Sequence, residues 1–159
     1  MSKKRIEINP YNYMEHFMDR AAHIVSMHKD GKLNVMALLW KQIGELWHEP
    51  VITIAVSPSR YTFKLLTEGI REFTINIPSK ETSDTIDITG SYSGTDINKF
   101  EKANLHTIPG VRTKVPTLED SILSYECQIV LETDSGNMAS HHLFFGRILK
   151  AYASNEIIK

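Results

Sequence analysis

The chain has 159 residues, of which 42% are hydrophobic and 23% charged, proportions of a folded domain with a sizeable core and not of a disordered tail. Its 18 Lys and Arg against 19 Asp and Glu leave a net charge of -1, too little to gather nucleic acid at long range. The single cysteine, Cys127, excludes an intramolecular disulfide and a multi-cysteine zinc site, and within "YECQIVLE" it reads as a buried strand position.

The start "MSKKRIEINPYNYMEHF" lacks the continuous apolar core of a signal peptide. No stretch is apolar for the roughly 18 residues that a membrane span requires, so the cytoplasm is the expected compartment. The basic run Lys3, Lys4, Arg5 reads as a solvated terminus. "AHIVSMHKDGKLNVMALLW" predicts a hairpin, with Asp30-Gly31 supplying the positive φ of a tight turn and a second strand from about Leu33 to Trp40. "PVITIAVS" has apolar residues on both faces, as a central strand does. "PSRYTFKLLTEG" predicts a short helix with Ser59 as N-cap and Gly69 as its stop. "EFTINIP" is a strand ending at Pro78, helix-forming runs follow from Ser79 to about Leu105, and "IPGVRTKVPT" is a loop. Two long strands, "SILSYECQIVLET" and "HHLFFGRILKAY", finish the chain around the turn "DSGN". Five to seven strands without regular strand-helix alternation predict an antiparallel barrel with helical excursions.

Neither the phosphate-loop pattern nor G-x-G-x-x-G occurs, and none of the seven histidines has H-E-x-x-H spacing. The adjacent His141 and His142 point to opposite faces of a strand, so the histidines read as surface or hydrogen-bonded side chains. Two turns remain. In "SPSRYT" the free N–H groups of a helix start, the Ser57 and Thr62 hydroxyls and the Arg60 guanidinium are disposed to meet an anion. The same residues also describe an ordinary helix start with an exposed arginine. In "GSYSGTDINKF" Gly94 leaves room for a flat ligand against the backbone, yet taken alone the stretch reads first as a plain capping turn with Ser93 or Thr95 as N-cap and Lys99 in solvent.

Taken in order, "DGKLNVMALLW", "PVITIAVSPSRYT", "FTINIP", "GSYSGTDINKF", "YECQIVLE" and "HHLFFGRI" resemble the flavin reductase-like family with its FMN-binding split barrel, especially the flavoredoxin-like branch, over about residues 20–152. The resemblance implies a mainly β fold, a six-stranded antiparallel Greek-key split barrel with short helices, as one domain over residues 1–159. It also implies a homodimer with noncovalent FMN near the subunit interface. Carried over, Asn34, Met36 and Ala37 line the isoalloxazine ring and ribityl chain, and Ser57, Arg60, Tyr61 and Thr62 handle the phosphate end. Asn76 matches the asparagine of the "N-I-P" strand end, and Ser93, Gly94 and Lys99 form another wall. No metal and no catalytic side chain is implied, because the flavin N5 carries the hydride and NADH or NADPH is the reductant. An electron carrier reduced by a protein partner and a noncatalytic binding domain remain alternatives. "PYNYMEHFMDRA" lacks the family's proline-rich strand, so the entry to the barrel is expected to differ. The chain ends soon after the last matched strand, which predicts an open site, and with no arginine cluster for a 2′-phosphate in the sequence little selectivity between the two dinucleotides is expected.

Overall fold

A computed structural model describes residues 4–158, so the Lys3 part of the basic run lies outside the described residues. The hairpin forms as its sequence dictates. β2 (Ala22–Met27) and β3 (Leu33–Leu38) pair antiparallel from Ala22 opposite Leu38 to Met27 opposite Leu33. Gly31 takes φ 96°, and His28 donates its N–H to the Lys32 carbonyl at 2.8 Å. β3 stops at Leu38, short of Trp40, because Leu39 and Trp40 form an exposed link into a further strand, β4 (Lys41–Leu46), which turns into β5 (Glu49–Val56). Before the hairpin, α1 (Met14–Asp19) stands where the unusual entry was expected, after β1 (Arg5–Glu7). Arg5 is not a solvated residue: its guanidinium lies 4.1 Å from the centre of the Tyr152 ring and donates to Thr117 Oγ1 at 2.5 Å.

Beyond β5 come α2 (Tyr61–Glu68), β6 (Glu72–Pro78), a short 3-10 turn, α3 (Thr85–Ser91) and α4 (Lys99–Lys102). A small ribbon of β7 (Thr107–Ile108) and β8 (Thr117–Leu118) precedes the long strands β9 (Ser121–Asp134) and β10 (His142–Ser154). The main sheet is antiparallel in the order β3-β2-β6-β9-β10-β5-β4, with β1 on β10, so it has eight strands where the resemblance implies six. Its ends, β3 and β4, adjoin in sequence. Ile24, Ile52, Ile54, Phe73, Ile75, Tyr125 and Phe144, from five strands of that path, share one core, so the sheet curls round it into a barrel. Fully burying each such side chain stabilises by about 1.5–3 kcal/mol. Gly146 is required for the closure: a Cβ there would stand 2.4 Å from the Phe73 ring. Cys127 is buried in β9, as the sequence indicates, and burial pushes its thiol well above its usual pKa.

A smaller cluster on the other face of the β2–β3 hairpin joins Val25 and Val35 to Val115 and Leu118, with Phe100 and Leu105 packed against it. It anchors the α3–α4 excursion. The loop before β8 is fixed differently, by a carboxylate. Glu126, 0% exposed, accepts the N–H groups of Val111, Arg112 and Thr113 at 2.9, 2.7 and 3.1 Å, and Tyr152 donates its hydroxyl to the other oxygen at 3.0 Å. Burial alone would raise the Glu126 pKa, but the donors of Arg112, Val111, Tyr152 and Thr113 outweigh it and hold the carboxyl below its ordinary value. A depressed carboxyl pKa contributes stability that is full above the ordinary carboxylate range and is lost as pH falls through the folded-state value. Glu126→Gln is therefore expected to lower stability at pH 7 by about 1.5–3 kcal/mol in urea denaturation. The gap to wild type should close in acid, and a gap independent of pH would show that the charge is not what holds the loop.

Candidate functional site

β3 is an end strand of the sheet path, and its alternating side chains serve both faces. Asn34 and Met36 point to one face, Ala37 to the other. Against the first lies the start of α2. Ser59 does not cap this helix: Arg60 is its N-cap in extended conformation, with no side-chain cap bond, and the Ser57 and Ser59 hydroxyls bond each other at 2.9 Å. The first-turn N–H groups of α2 thus receive no side-chain cap. Thr62 is buried and accepts Asn34 Nδ2 at 3.2 Å, which ties the helix start to β3.

The other wall is the glycine-bearing stretch at the end of α3. Tyr92 closes α3 in extended conformation, and Ser93 Oγ accepts the Thr95 N–H at 3.2 Å in a tight turn. Neither Ser93 nor Thr95 caps the next helix. Asn98 does, its Oδ1 accepting the N–H groups of Phe100 and Glu101 at 3.0 and 3.3 Å. A Cβ on Gly94 would stand 1.9 Å from Asn34 Oδ1, so only glycine lets this turn reach β3.

Lys99 is not in solvent. It is 4% exposed and donates from Nζ to the Thr89 carbonyl at 2.8 Å. Burial first, and then the nearby Arg60 charge, pull its pKa down to about 8. Behind it His23, 1% exposed, bridges Thr85 Oγ1 at 2.9 Å and Thr89 Oγ1 at 3.1 Å. Burial, with Lys99 adding repulsion, lowers the His23 pKa to about 4, so the imidazole is neutral near pH 7.

Between the two walls is a cavity of about 260 Å³. Of the residues singled out in the sequence, Asn34, Met36, Arg60, Tyr61, Thr62, Ser93, Gly94 and Lys99 line it. Three do not. Ala37 sits behind Gly90, whose added Cβ would meet the Ala37 Cβ at 3.1 Å. Ser57 reaches the rim only through Ser59. Asn76 is buried in β6, donating to Thr74 Oγ1 at 3.0 Å and accepting the Leu118 N–H at 3.0 Å, which makes it a tie between β6 and β8. Ser59, Thr89, Gly90, Ser91 and Tyr92 also line the cavity; all but Thr89 lie within "SPSRYT" and "GSYSGTDINKF" but were not singled out there as site residues.

The family model for the flavin reductase like domain matches residues 14–158. The chain belongs to that family. An uncharacterized protein of Archaeoglobus fulgidus is 34% identical over 119 residues, which is 74% of this chain and 64% of the relative, so the match spans somewhat less than two thirds of that protein. An FMN-binding domain of a flavin reductase-like enzyme from Shewanella baltica superposes with TM-score 0.82 at 17% identity, covering 100% of this chain and 82% of that one. Flavoredoxin from Methanosarcina acetivorans gives TM-score 0.77 at 24% identity, covering 98% and 78%. At these identities the likeness is one of fold, a mainly β split barrel. No helix among the described residues is long and apolar enough to cross a membrane.

The Asn34–Gly94 approach is testable apart from any ligand. Gly94→Ala must displace the Asn34 amide from Thr62, and is expected to destabilise by about 1–3 kcal/mol in urea denaturation. In an Asn34→Ala background the same substitution should cost little, because the obstructing oxygen is gone. Equal costs in the two backgrounds would show that Gly94 is needed for its own backbone alone.

Proposed function

We propose that the chain is an FMN-binding oxidoreductase that uses NADH or NADPH and works as a homodimer. One observation carries the reading: the cavity presents two cations, Arg60 and Lys99, and no aspartate or glutamate lines it. Such a lining calls for an anion. FMN offers a phosphate of nearly two negative charges, a polyhydroxyl chain and a large flat ring, and the residues present suit each part. Arg60, Lys99 and the uncapped start of α2 would take the phosphate. Thr62, Ser93 and the Asn34 amide suit the hydroxyl chain, while Met36, Gly90 and Gly94 give a low wall against a ring. Beside Asn34 in the hairpin register stands Ser26, whose buried hydroxyl has no hydrogen-bond partner among the described residues.

When bound, the flavin supplies the redox chemistry, accepting a hydride from the dinucleotide and passing electrons to an acceptor. The chain's part is to hold, orient and enclose. His23, neutral and fixed between two threonine hydroxyls, keeps α3 against β2 without adding a third positive charge beside Lys99. No side chain is required to move a proton.

Arg60→Ala is expected to weaken FMN binding by about 1.5–3 kcal/mol, roughly 10- to 100-fold, and to leave riboflavin unaffected. The preference for FMN over riboflavin should shrink as pH rises through about 8, where Lys99 loses its charge in the free protein. Fluorescence titration of both ligands reads the two effects, and equal losses for both would place Arg60 in the fold and not at the phosphate. Anaerobic mixing of the FMN-loaded protein with NADH or NADPH should bleach the visible flavin band. Bleaching by dithionite alone would favour an electron carrier served by a protein partner.

The outer face of the sheet supports the dimer. Leu131 lies beside Phe145 and Phe145 beside Thr53, and in the next row Leu143 lies beside Ala55, whose N–H bonds the Trp40 carbonyl. Trp40 is 61% exposed and Leu131 48%, which makes this a largely apolar surface next to the open edge of β4. Sedimentation at micromolar concentration should show a dimer, and Leu131→Asp should shift it towards monomer. A monomeric wild type that holds FMN tightly would remove the dimer from the reading.

A further inference from the structure

Thr85 and Thr89 stand one turn apart on α3, so their hydroxyls share one face of the helix, and His23 on β2 meets both. The Thr85 hydroxyl donates its single proton to the Thr82 carbonyl at 2.5 Å, so towards His23 it can only accept. The network thus assigns the proton of the neutral imidazole to Nε2 and leaves Nδ1 to accept from Thr89 Oγ1. A polar chain of fixed sense runs from Thr89 through the ring to Thr85 and Thr82. A second proton on the ring would break it at Nδ1, and the Thr89 hydroxyl would have to turn to the Ile86 carbonyl, at 3.3 Å.

The sheet beneath fixes the ring in turn. In the strand register His23 lies between Ala37 on β3 and Asn76 on β6, so the three side chains share one face in a single row. Its neighbours are two of the motif residues that do not line the cavity. α3 is laid across this row, with Gly90 over Ala37, close enough that an added Cβ would stand 3.1 Å away, and the two threonines over His23. Asn76 is held by Thr74 and Leu118. The helix has little of its own to secure it, since it has seven residues, no side-chain cap and Thr89 as its one buried residue.

What depends on that anchor is the Thr89 carbonyl, which accepts Lys99 Nζ at 2.8 Å, and both residues line the cavity. His23 itself stands outside the cavity. Without the ring Thr89 is free to shift, and an ammonium that faces Arg60 across the same space then has reason to swing away from it. We propose that His23 is a positioning residue for phosphate recognition: through Thr89 it fixes the carbonyl that holds the Lys99 ammonium, and so sets the preference of the site for FMN over riboflavin. This rests on the flavin reading above and adds to it a residue that touches no part of the ligand.

FMN and riboflavin are titrated by fluorescence into wild type, His23→Leu, His23→Gln, Lys99→Met and the double variant His23→Leu/Lys99→Met. His23→Leu is expected to lower the preference for FMN over riboflavin about 10-fold, the worth of one charge-assisted hydrogen bond, with riboflavin affinity unchanged. His23→Gln, whose amide keeps a donor and an acceptor, should restore most of it. In the Lys99→Met background, itself of reduced preference, His23→Leu should change the preference no further, because the group through which the ring acts is gone. Where His23→Leu does not fold, Thr89→Val, which removes the hydroxyl that the ring holds, takes its place with the same outcomes. An unchanged preference in His23→Leu, an equal loss for both flavins, a His23→Gln no better than His23→Leu, or the same loss on top of Lys99→Met each overturns the proposal and leaves the flavin reading standing. A wild type without the preference, or a preference that Lys99→Met leaves intact, overturns the phosphate assignment and this proposal together.

Discussion

A buried ammonium sets the terms for the candidate site. Lys99 is almost wholly removed from water, makes its hydrogen bond to the Thr89 carbonyl, and has Arg60 near enough to depress its pKa further. Burial of a charge without an opposite charge is costly, and it persists only where the surrounding structure enforces it. The enforcement here comes from both directions along the chain. Asn98 caps the short helix that carries Lys99, and Phe100, the next residue, packs into the small cluster on the outside of the hairpin. On the other side, His23 answers Thr85 and Thr89 as a neutral ring, a state that Lys99 itself favours by repelling a proton.

The same constraint explains why β3 is an end strand. A strand inside a sheet is flanked on both sides by backbone, whereas an end strand leaves one side for loops and ligands. Here the α2 start approaches one face of β3 and the α3–α4 stretch the other, and they meet at Asn34, which bonds Thr62 and nearly touches Gly94. The cost of an open edge at β3 is offset by these coverings. At the opposite end of the sheet path the α1 segment reaches only the start of β4, where Lys41 Nζ donates to the Phe17 and Arg20 carbonyls, and the exposed Trp40 and Leu46 flank that strand.

The parts of the fold legible in the sequence are those governed by local chemistry. Asp30-Gly31 announces its turn, Pro78 its strand end and Gly69 its helix stop, because each acts within a few residues of itself. β4 was not legible. Its hairpin turns on Trp47 and His48 at φ 51° and 63°, a conformation that asparagine and glycine usually signal, and its polar residues give no alternation of apolar and polar. The burial of Lys99 has the same origin: "DINKF" by itself looks like a solvated capping turn, and the lysine is buried by the approach of β3, distant in sequence, and of α3, which supplies the Thr89 carbonyl. Asn76 shows the converse. Its motif was visible, but its amide is committed to Thr74 and Leu118, a pairing that depends on where β8 falls and not on anything within "FTINIP". Eight of the eleven residues singled out do line one cavity, because two turns, each rich in small hydroxyls with one cation and the second also with glycine, are individually ambiguous and jointly informative.

That joint arrangement also fixes how ligand binding bears on stability. Two like charges facing one cavity, an unsatisfied Ser26 hydroxyl on the neighbouring strand and a helix start without a side-chain cap each oppose folding. None of them is relieved by better packing, since a side chain large enough to fill the cavity would meet Asn34 at Gly94 or Ala37 at Gly90. An anion between Arg60 and Lys99 relieves the repulsion directly, and a ligand at a hundred times its dissociation constant stabilises the folded state by about 2.7 kcal/mol. The two walls come from segments about 30 residues apart, and among their hydrogen bonds only the Asn34–Thr62 pair ties β3 to the helix start. A molecule that bridges them therefore acts as part of the tertiary structure, and the affinity of the site and the stability of the α3–α4 excursion are two readings of one free energy.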